Sequence, residues 1–343
     1  MYNLHHMLTP YVKPQVDSSR NSQMKAFVHD RYGAAGVLAD IEVPTIDDDD
    51  VLVRVRAASV NAADPAIIRG KPYILRLGFG LVRPKSRVRG MDVAGVVEAV
   101  GKNVTRFQLG DEVFGVARGA FADYAVAAAD KLALKPANLT FGQAAAVPVA
   151  GTTALQGLRD VAQVTPGQKV LINGASGGVG TFAVQVAKGL GAEVTAVCST
   201  KNVDLLRTIG ADHVIDYSQE DFTKLGGQYD VIFDNAASHS LLETRHVLKP
   251  GGILIPNNGK LNSRWFASLP RIAWGMILSL FSRQRFRVFV GSENSDDLAA
   301  MGRLIESGEV TPVIDRIFEL SQTAEAVAYV GEGHAGGKVV ITV

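Results

Sequence analysis

Glycines fall at 174, 177 and 180 in VLINGASGGVGTFAVQVAKGLGAEVTAVCST, the stretch from Val170 to Thr200. They lie between an apolar run, KVLINGA, and a helical one, VGTFAVQVAKGL. Glycine at such a turn lets the backbone bend sharply and lets a pyrophosphate approach it, while the helix start offers free amides and a partial positive charge. Glycine spacing alone is a weak sign. The strand before it, and the helix and second strand after it, turn it into a dinucleotide-binding pattern. The alternative is a tight strand-to-helix turn that holds no ligand.

A site of this kind that takes NAD carries Asp or Glu about 20 residues on, at the end of the second strand, to hold the ribose 2′-hydroxyl. Here that strand ends in VCSTKN; Glu193 lies at its wrong end and Asp204 lies a turn into the following helix. A carboxylate at the strand end would repel a 2′-phosphate, at a cost on the order of several kcal/mol. Ser199 and Thr200 offer hydroxyl donors instead, and Lys201 offers a cation suited to a phosphate. NADPH is therefore the expected cofactor, with a merely solvated Lys201 as the alternative.

The elements that must hold this loop change texture along the chain. From Met24 to about Val149 the signals are short strands broken by glycine, among them VLVRVRAASV, DVAGVVEAVG and DEVFGVARGAFADYAVA. From about Ala150 to Val290 short apolar strands (KVLINGA, AEVTAVCS, DHVIDY, YDVIFDNAA, GGILIPN) alternate with helical stretches. That alternation indicates a parallel sheet covered on both faces. After Gly291 the chain is mixed again, with helical SDDLAAMGRLIESG and a last strand, GKVVITV. The expected organisation is a nucleotide domain (150–290) inserted in a β-rich domain (24–149 and 291–343), behind a flexible polar leader (1–23).

With 343 residues, 47% hydrophobic and 20% charged, the chain has room for about two globular domains. A net charge of +1 argues against nucleic acid as a partner. The single cysteine, Cys198, rules out an internal disulfide framework and a cysteine-built zinc lobe, and a reducing, cytoplasmic setting is expected. The leader lacks the continuous apolar core of a secretory signal; its few arginines and Asp17 count against a transit peptide, and His5 and His6 read as parts of a mobile tail. WFASLPRIAWGMILSLF, residues 265–281, is apolar, but Pro270 and Arg271 interrupt it and Arg264 and Arg283 flank it. A membrane helix wants roughly 20 uninterrupted apolar residues. The segment reads as a buried or half-buried helix; a substrate lid, a subunit-interface helix and contact with a membrane surface stay open.

The motifs SVNAADPAIIRG, RGMDVAGVVEAVG, LGDEVFG, PVAGTTALQGL, GASGGVG, GADHVIDY and GGKVVITV make the chain similar to the medium-chain dehydrogenase/reductase superfamily, in its zinc-free, quinone oxidoreductase-like branch. The resemblance spans Met24 to Val343. It implies an α/β fold, with a GroES-like β-rich catalytic domain formed by both chain ends, an inserted Rossmann domain with a doubly wound parallel sheet, and homodimers paired through that sheet. Zinc-using relatives hold their metal with a cysteine, a His-Glu pair and a further cysteine; here the matching positions carry Asn61, Met91 and Asp92, with Val149 and Ala150 near the last. Asp92 alone cannot build a tetrahedral zinc site, so no metal is expected. Zinc-free relatives pass hydride from NADPH to quinones or to the β-carbon of α,β-unsaturated carbonyls, where positioning supplies much of the catalysis.

By the same resemblance Asn61 lines the nicotinamide and acceptor, a structural asparagine in a turn being the alternative. Some relatives carry a tyrosine a few residues later; Ala66 stands there, so Tyr73 or solvent water is left to complete the protonation. Thr152 is expected near the nicotinamide. Ser176, Gly177, Gly178 and Val179 would hold the pyrophosphate, Tyr217 would lie near the adenine or its phosphate, and Asn235 would border the adenosine ribose. Phe289 and Val290 would back the nicotinamide by their main chain, and Lys338 would reach the cofactor. Phe79, Trp265, Phe266 and Trp274 are candidates for an apolar acceptor pocket. His213, His239, His246 and His334 show no metal or triad spacing. Two rival readings remain: metal-free reduction of aldehydes or ketones, and a slow NADPH-binding protein that acts through a protein or membrane partner.

Overall fold

A computed structural model describes residues 23–33, 36–226, 228–257, 273–276, 279 and 282–343. The leader up to residue 22, together with Trp265 and Phe266, lies outside the described residues, and of the apolar segment only 273–276 and 279 lie within them. Trp274 there is half exposed. No described helix is long and apolar enough to cross a membrane.

The first two strands, β1 (Gln23–Val28) and β2 (Val37–Glu42), pair as an antiparallel hairpin. A larger sheet begins with β3 (Asp50–Val60), β4 (Asp92–Val100), β5 (Glu112–Val116), β6 (Tyr124–Ala128) and β7 (Leu132–Leu134). The chain then leaves it for a second sheet: β8 (Lys169–Asn173), β9 (Glu193–Cys198), β10 (His213–Asp216), β11 (Tyr229–Asp234), β12 (Leu248–Pro256) and β13 (Arg285–Phe286). It returns in β14 (Ile314–Glu319) and β15 (Lys338–Thr342) to complete the first. That seven-stranded sheet runs β14-β15-β3-β4-β5-β7, with β6 also paired to β3.

The six-stranded sheet is parallel throughout, in the order β10-β9-β8-β11-β12-β13. In β8, four of the five residues are buried, as a strand covered on both faces requires. The helix that follows, Gly178–Gly189, buries Thr181, Phe182, Ala183, Val184, Gln185, Val186 and Ala187 in succession; a helix apolar on nearly every side belongs in an interior. The strand order reverses between β8 and β11, which opens a crevice beyond their carboxyl ends.

The two sheets share an apolar core. Ala57, Ala94 and Phe114 from the first pack in one cluster with Phe182, Val231 and Phe233 from the second and Met301 from the helix Ser295–Glu306. Polar ties fix the way back. The chain at Gln156–Val161 winds as a π-helix, a geometry that recurs near functional sites. From it Gln156 Nε2 donates to Ser292 O and to Asp297 Oδ2, both at 2.7 Å, and Arg159 Nη2 donates to Asp297 Oδ1 at 2.6 Å. These bonds tie Ser292 and the start of the helix Ser295–Glu306 to that turn.

Candidate active site

The glycine loop opens the crevice at the end of β8. Gly174 has φ +72°, the left-handed region that favours glycine, and a Cβ on Gly180 would collide with the carbonyl oxygen of Gly174. The loop can close this tightly only without side chains at those two positions. No side chain caps the helix Gly178–Gly189, so its first amides stay available to a ligand. Ser176, Gly177, Gly178 and Val179 are half-buried along this edge.

Under the loop, Asn173 Nδ2 donates to Asp234 Oδ1 at 2.8 Å, and the same carboxyl oxygen accepts the Ala237 amide at 2.9 Å. Ala237, at φ +48°, takes a conformation unusual for a residue with a Cβ, and this bond steadies it. Asn235 is oriented by Asn257, whose Nδ2 donates to Asn235 Oδ1 at 2.7 Å. The Asn235 Nδ2 is buried and has no partner among the described residues. A buried orphan donor beside a glycine cradle and unpaired helix amides is what a nucleotide would satisfy, so the residues present fit a dinucleotide.

At the far end of the crevice the sequence reading needs an addition. Beyond β9, Ser199, Thr200 and Lys201 follow one another as expected, but Asp216 from the neighbouring β10 reaches the same place. It accepts from Thr200 Oγ1 at 2.5 Å, and also from Ser218 N, Ser218 Oγ and Gln219 Nε2. The bond from Thr200, the largest influence, and those from Ser218 and Gln219 hold this carboxyl below the usual range. Lys201 Nζ donates to His334 O at 3.0 Å, and Tyr217 next door is 58% exposed. The signal for Asp216 lay in GADHVIDY; what the sequence did not reveal is that β10 sets Asp216 opposite Cys198.

At the other end, the register of the larger sheet assembles a second cluster. β15 sets Val339 against Val60, which leaves Lys338 opposite Asn61, and β4 sets Asp92 against Ser59. Lys338 Nζ donates to Asn61 Oδ1 at 2.7 Å and to Asp92 Oδ2 at 3.0 Å. Asp92 also accepts Ser59 Oγ at 2.8 Å and the Val149 amide at 3.1 Å. Lys338 is 3% and Asp92 0% exposed, so this is a buried ion pair with its hydrogen bonds made on both sides. The Lys338 stem runs against Gly178, where a Cβ would stand 2.9 Å from Lys338 Cδ.

Asp64, at the start of the helix Asp64–Arg69, accepts the backbone N–H of Asn61 on Oδ2 at 2.7 Å. Burial pushes its carboxyl up to about 6; the Asn61 amide pulls the other way, Asp92 adds to the rise, and Lys338 and Arg89 oppose it. Sequence reasoning passed over Asp64, although it lies three residues after Asn61 in SVNAADPA.

Of the remaining expected residues, Thr152 is buried and its hydroxyl donates to Pro148 O at 2.7 Å, so toward a ligand it can only accept. Phe289 packs half-buried against the shared core, whereas Val290 is 91% exposed. Tyr73 stands outside the Asn61–Lys338–Asp92 trio, on the turn Tyr73–Leu75, with the Arg76 guanidinium 4.8 Å above its ring. Ala66 is buried and brings no acid. Phe79 carries the Arg89 guanidinium 5.6 Å from its ring centre.

Comparison with known proteins places this geometry. The family model described as "Alcohol dehydrogenase GroES-like domain" matches residues 47–137, and that described as "Zinc-binding dehydrogenase" matches 209–341. The chain is 34% identical over 347 residues to an NADPH-dependent alkenal/one oxidoreductase of Arabidopsis thaliana, covering 96% of this chain and 82% of the relative. It is 32% identical to a chloroplast envelope quinone oxidoreductase homolog of the same plant, covering 93% and 98%. A solved quinone oxidoreductase from Coxiella burnetii superimposes with a TM-score of 0.83 at 30% identity, covering 94% of this chain and 99% of that one. The chain belongs to the medium-chain dehydrogenase/reductase superfamily, in its quinone oxidoreductase-like branch.

Some medium-chain dehydrogenases carry catalytic zinc, and the donors here do not fit it. The matching positions present a carboxamide, a thioether and one carboxylate, and that carboxylate is already held by a lysine ammonium. Among the described residues no group of three or more His, Cys, Asp or Glu is placed to hold a metal ion.

Proposed function

We propose that this chain is an NADPH-dependent oxidoreductase that reduces quinones or α,β-unsaturated carbonyl compounds without a metal ion. The observation that carries the reading is the pairing of a glycine cradle open to a dinucleotide with a corner in which Lys338 joins Asn61 and Asp92, at positions matching the zinc enzymes' ligands. When bound, NADPH supplies a hydride to the β-carbon of the acceptor. Ser176 to Val179 and the helix behind them hold its pyrophosphate; Ser199, Thr200 and Lys201 face its 2′-phosphate; Asn235 borders its ribose. Thr152 and the main chain at Phe289 and Val290 frame the nicotinamide. As hydride arrives, negative charge gathers on the acceptor's carbonyl oxygen, and the Asn61 amide supplies a hydrogen bond there. Tyr73 or solvent delivers the proton that completes the saturated product, since Ala66 offers no acid.

The same reading includes a homodimer paired through the parallel sheet, and a cytoplasmic setting suited to a lone buried thiol. The test is NADPH oxidation by the purified protein with a panel of enones and quinones, run beside NADH and simple alcohols. Turnover with conjugated acceptors and poor use of NADH is expected. Tight NADPH binding with no turnover across the panel would refute the reading.

A further inference from the structure

We infer that Lys338 is a positioning residue: its buried ammonium holds the Asn61 carboxamide oxygen inward, so that the Asn61 N–H₂ is turned toward the acceptor's carbonyl oxygen. The inference rests on the reductase reading and names the device that makes Asn61 effective in it.

An ammonium has three donors and no lone pair to offer. The Asn61 atom 2.7 Å from Lys338 Nζ must therefore be the oxygen, and the amide nitrogen must lie on the other branch. That nitrogen, Asn61 Nδ2, is buried and has no partner among the described residues. A buried donor left unpaired is unfavourable and calls for an explanation, and a ligand oxygen supplies one. Asp92 does not take it: it accepts from Val149 N on Oδ1 and from Ser59 Oγ and Lys338 Nζ on Oδ2, and no bond joins it to Asn61 Nδ2. The buried ammonium, paired with Asp92, thus fixes the carboxamide oxygen, and the carboxamide N–H₂ is left without a partner among the described residues. In water an asparagine side chain turns over freely; here the wrong orientation would set N–H against N–H.

Four variants of the purified full chain separate positioning from simple stabilisation. Lys338→Met leaves Asp92 buried and unpaired, and should lower both Tm and kcat. Asp92→Asn with Lys338→Met removes both charges at similar shape; Tm should recover while kcat on an enone stays about 10- to 100-fold down and the NADPH Kd stays close to that of the unaltered chain. Asn61→Ala combined with Lys338→Met should be no slower than Asn61→Ala alone, within about twofold, because two residues acting as one unit are not additive. Asn61→Asp keeps an oxygen for Lys338 but has no N–H₂; it should fold and lose kcat, which keeps the inference testable if the Lys338 variants do not fold. Recovery of kcat together with Tm, fully multiplicative losses, or a rise in NADPH Kd that matches the kcat loss would each overturn it. Failure of the reductase reading would show in the unaltered chain, as absent turnover with every acceptor. Failure of this inference alone would show only among the variants.

Discussion

Thr200 Oγ1 donates to Asp216 Oδ2 at 2.5 Å, from just beyond the end of β9 to the end of its parallel neighbour β10. The Thr200 hydroxyl, proposed above to face the 2′-phosphate, is thus tethered to a carboxylate, and a positive side chain, Lys201, is its neighbour in the chain. Opposed charges at one end of a binding crevice make cofactor choice a difference between two terms.

Removing one term should shift the choice. Asp216→Asn should tighten NADPH relative to NADH, because a carboxylate near a 2′-phosphate repels it. Lys201→Ala should do the reverse, weakening NADPH by about 10-fold, the worth of one exposed charge-assisted contact, with NADH little changed. Kd values for both nucleotides, by fluorescence titration, decide it. Equal effects on the two would place these residues away from the 2′-phosphate.

The glycine loop predicts a contrast between neighbours. A Cβ on Gly180 meets the carbonyl oxygen of Gly174 and stands 2.6 Å from that of Ala175, both backbone atoms that cannot step aside. Gly180→Ala should therefore cost about 3 kcal/mol or more of stability. Gly177, with φ −74° and its nearest neighbour 3.5 Å from an added Cβ, leaves room in the fold. Gly177→Ala should keep its Tm and, on the proposed pyrophosphate site at Ser176 to Val179, lose NADPH affinity. Thermal melts with and without NADPH distinguish the two; a destabilised Gly177→Ala would contradict the loop geometry.

Asp64 predicts a pH dependence of stability. Its folded pKa, about 6, lies above the ordinary 3.8. Between about pH 4 and pH 6 the folded chain keeps a proton that the unfolded chain has released, so stability falls as pH rises through that window and is level above it. The shift amounts to a penalty on the order of 3 kcal/mol at neutral pH. Asp64→Asn keeps an acceptor for the Asn61 amide and should flatten Tm between pH 4 and pH 6. An unchanged slope in that variant would assign the titration to another group.

Cys198 predicts a silent thiol. It is 2% exposed, and burial, with Asp216 adding to it, pushes its pKa up to about 11. A thiol that is both shielded and protonated reacts slowly. Native protein should release almost no colour from an aromatic disulfide reagent, and one equivalent after denaturation in guanidinium. Fast reaction of the native chain would show that the end of β9 opens.

The parts of the site legible in the sequence were those written into adjacent residues. The glycine loop could be read because a positive φ at Gly174 and a close approach at Gly180 each restrict the residue type. The alternation of apolar strands with helices announced the parallel sheet, since burial on both faces leaves few polar positions. Asp216 was invisible in its role because strand register, not local spacing, turned it toward Thr200. Lys338 was expected at the cofactor; its ammonium donates to Asn61 and Asp92, and its stem lies along the glycine loop. No local pattern announces a bond between residues 277 positions apart.

That separation orders events in time. The parallel sheet lies wholly within residues 169–286, so the nucleotide half can assemble from neighbouring stretches of chain. The seven-stranded sheet cannot close until β15 finds β3, and such distant pairings form slowly. Until β15 pairs with β3, Lys338 cannot stand beside Asn61, so that corner depends on a long-range pairing that the parallel sheet does not need.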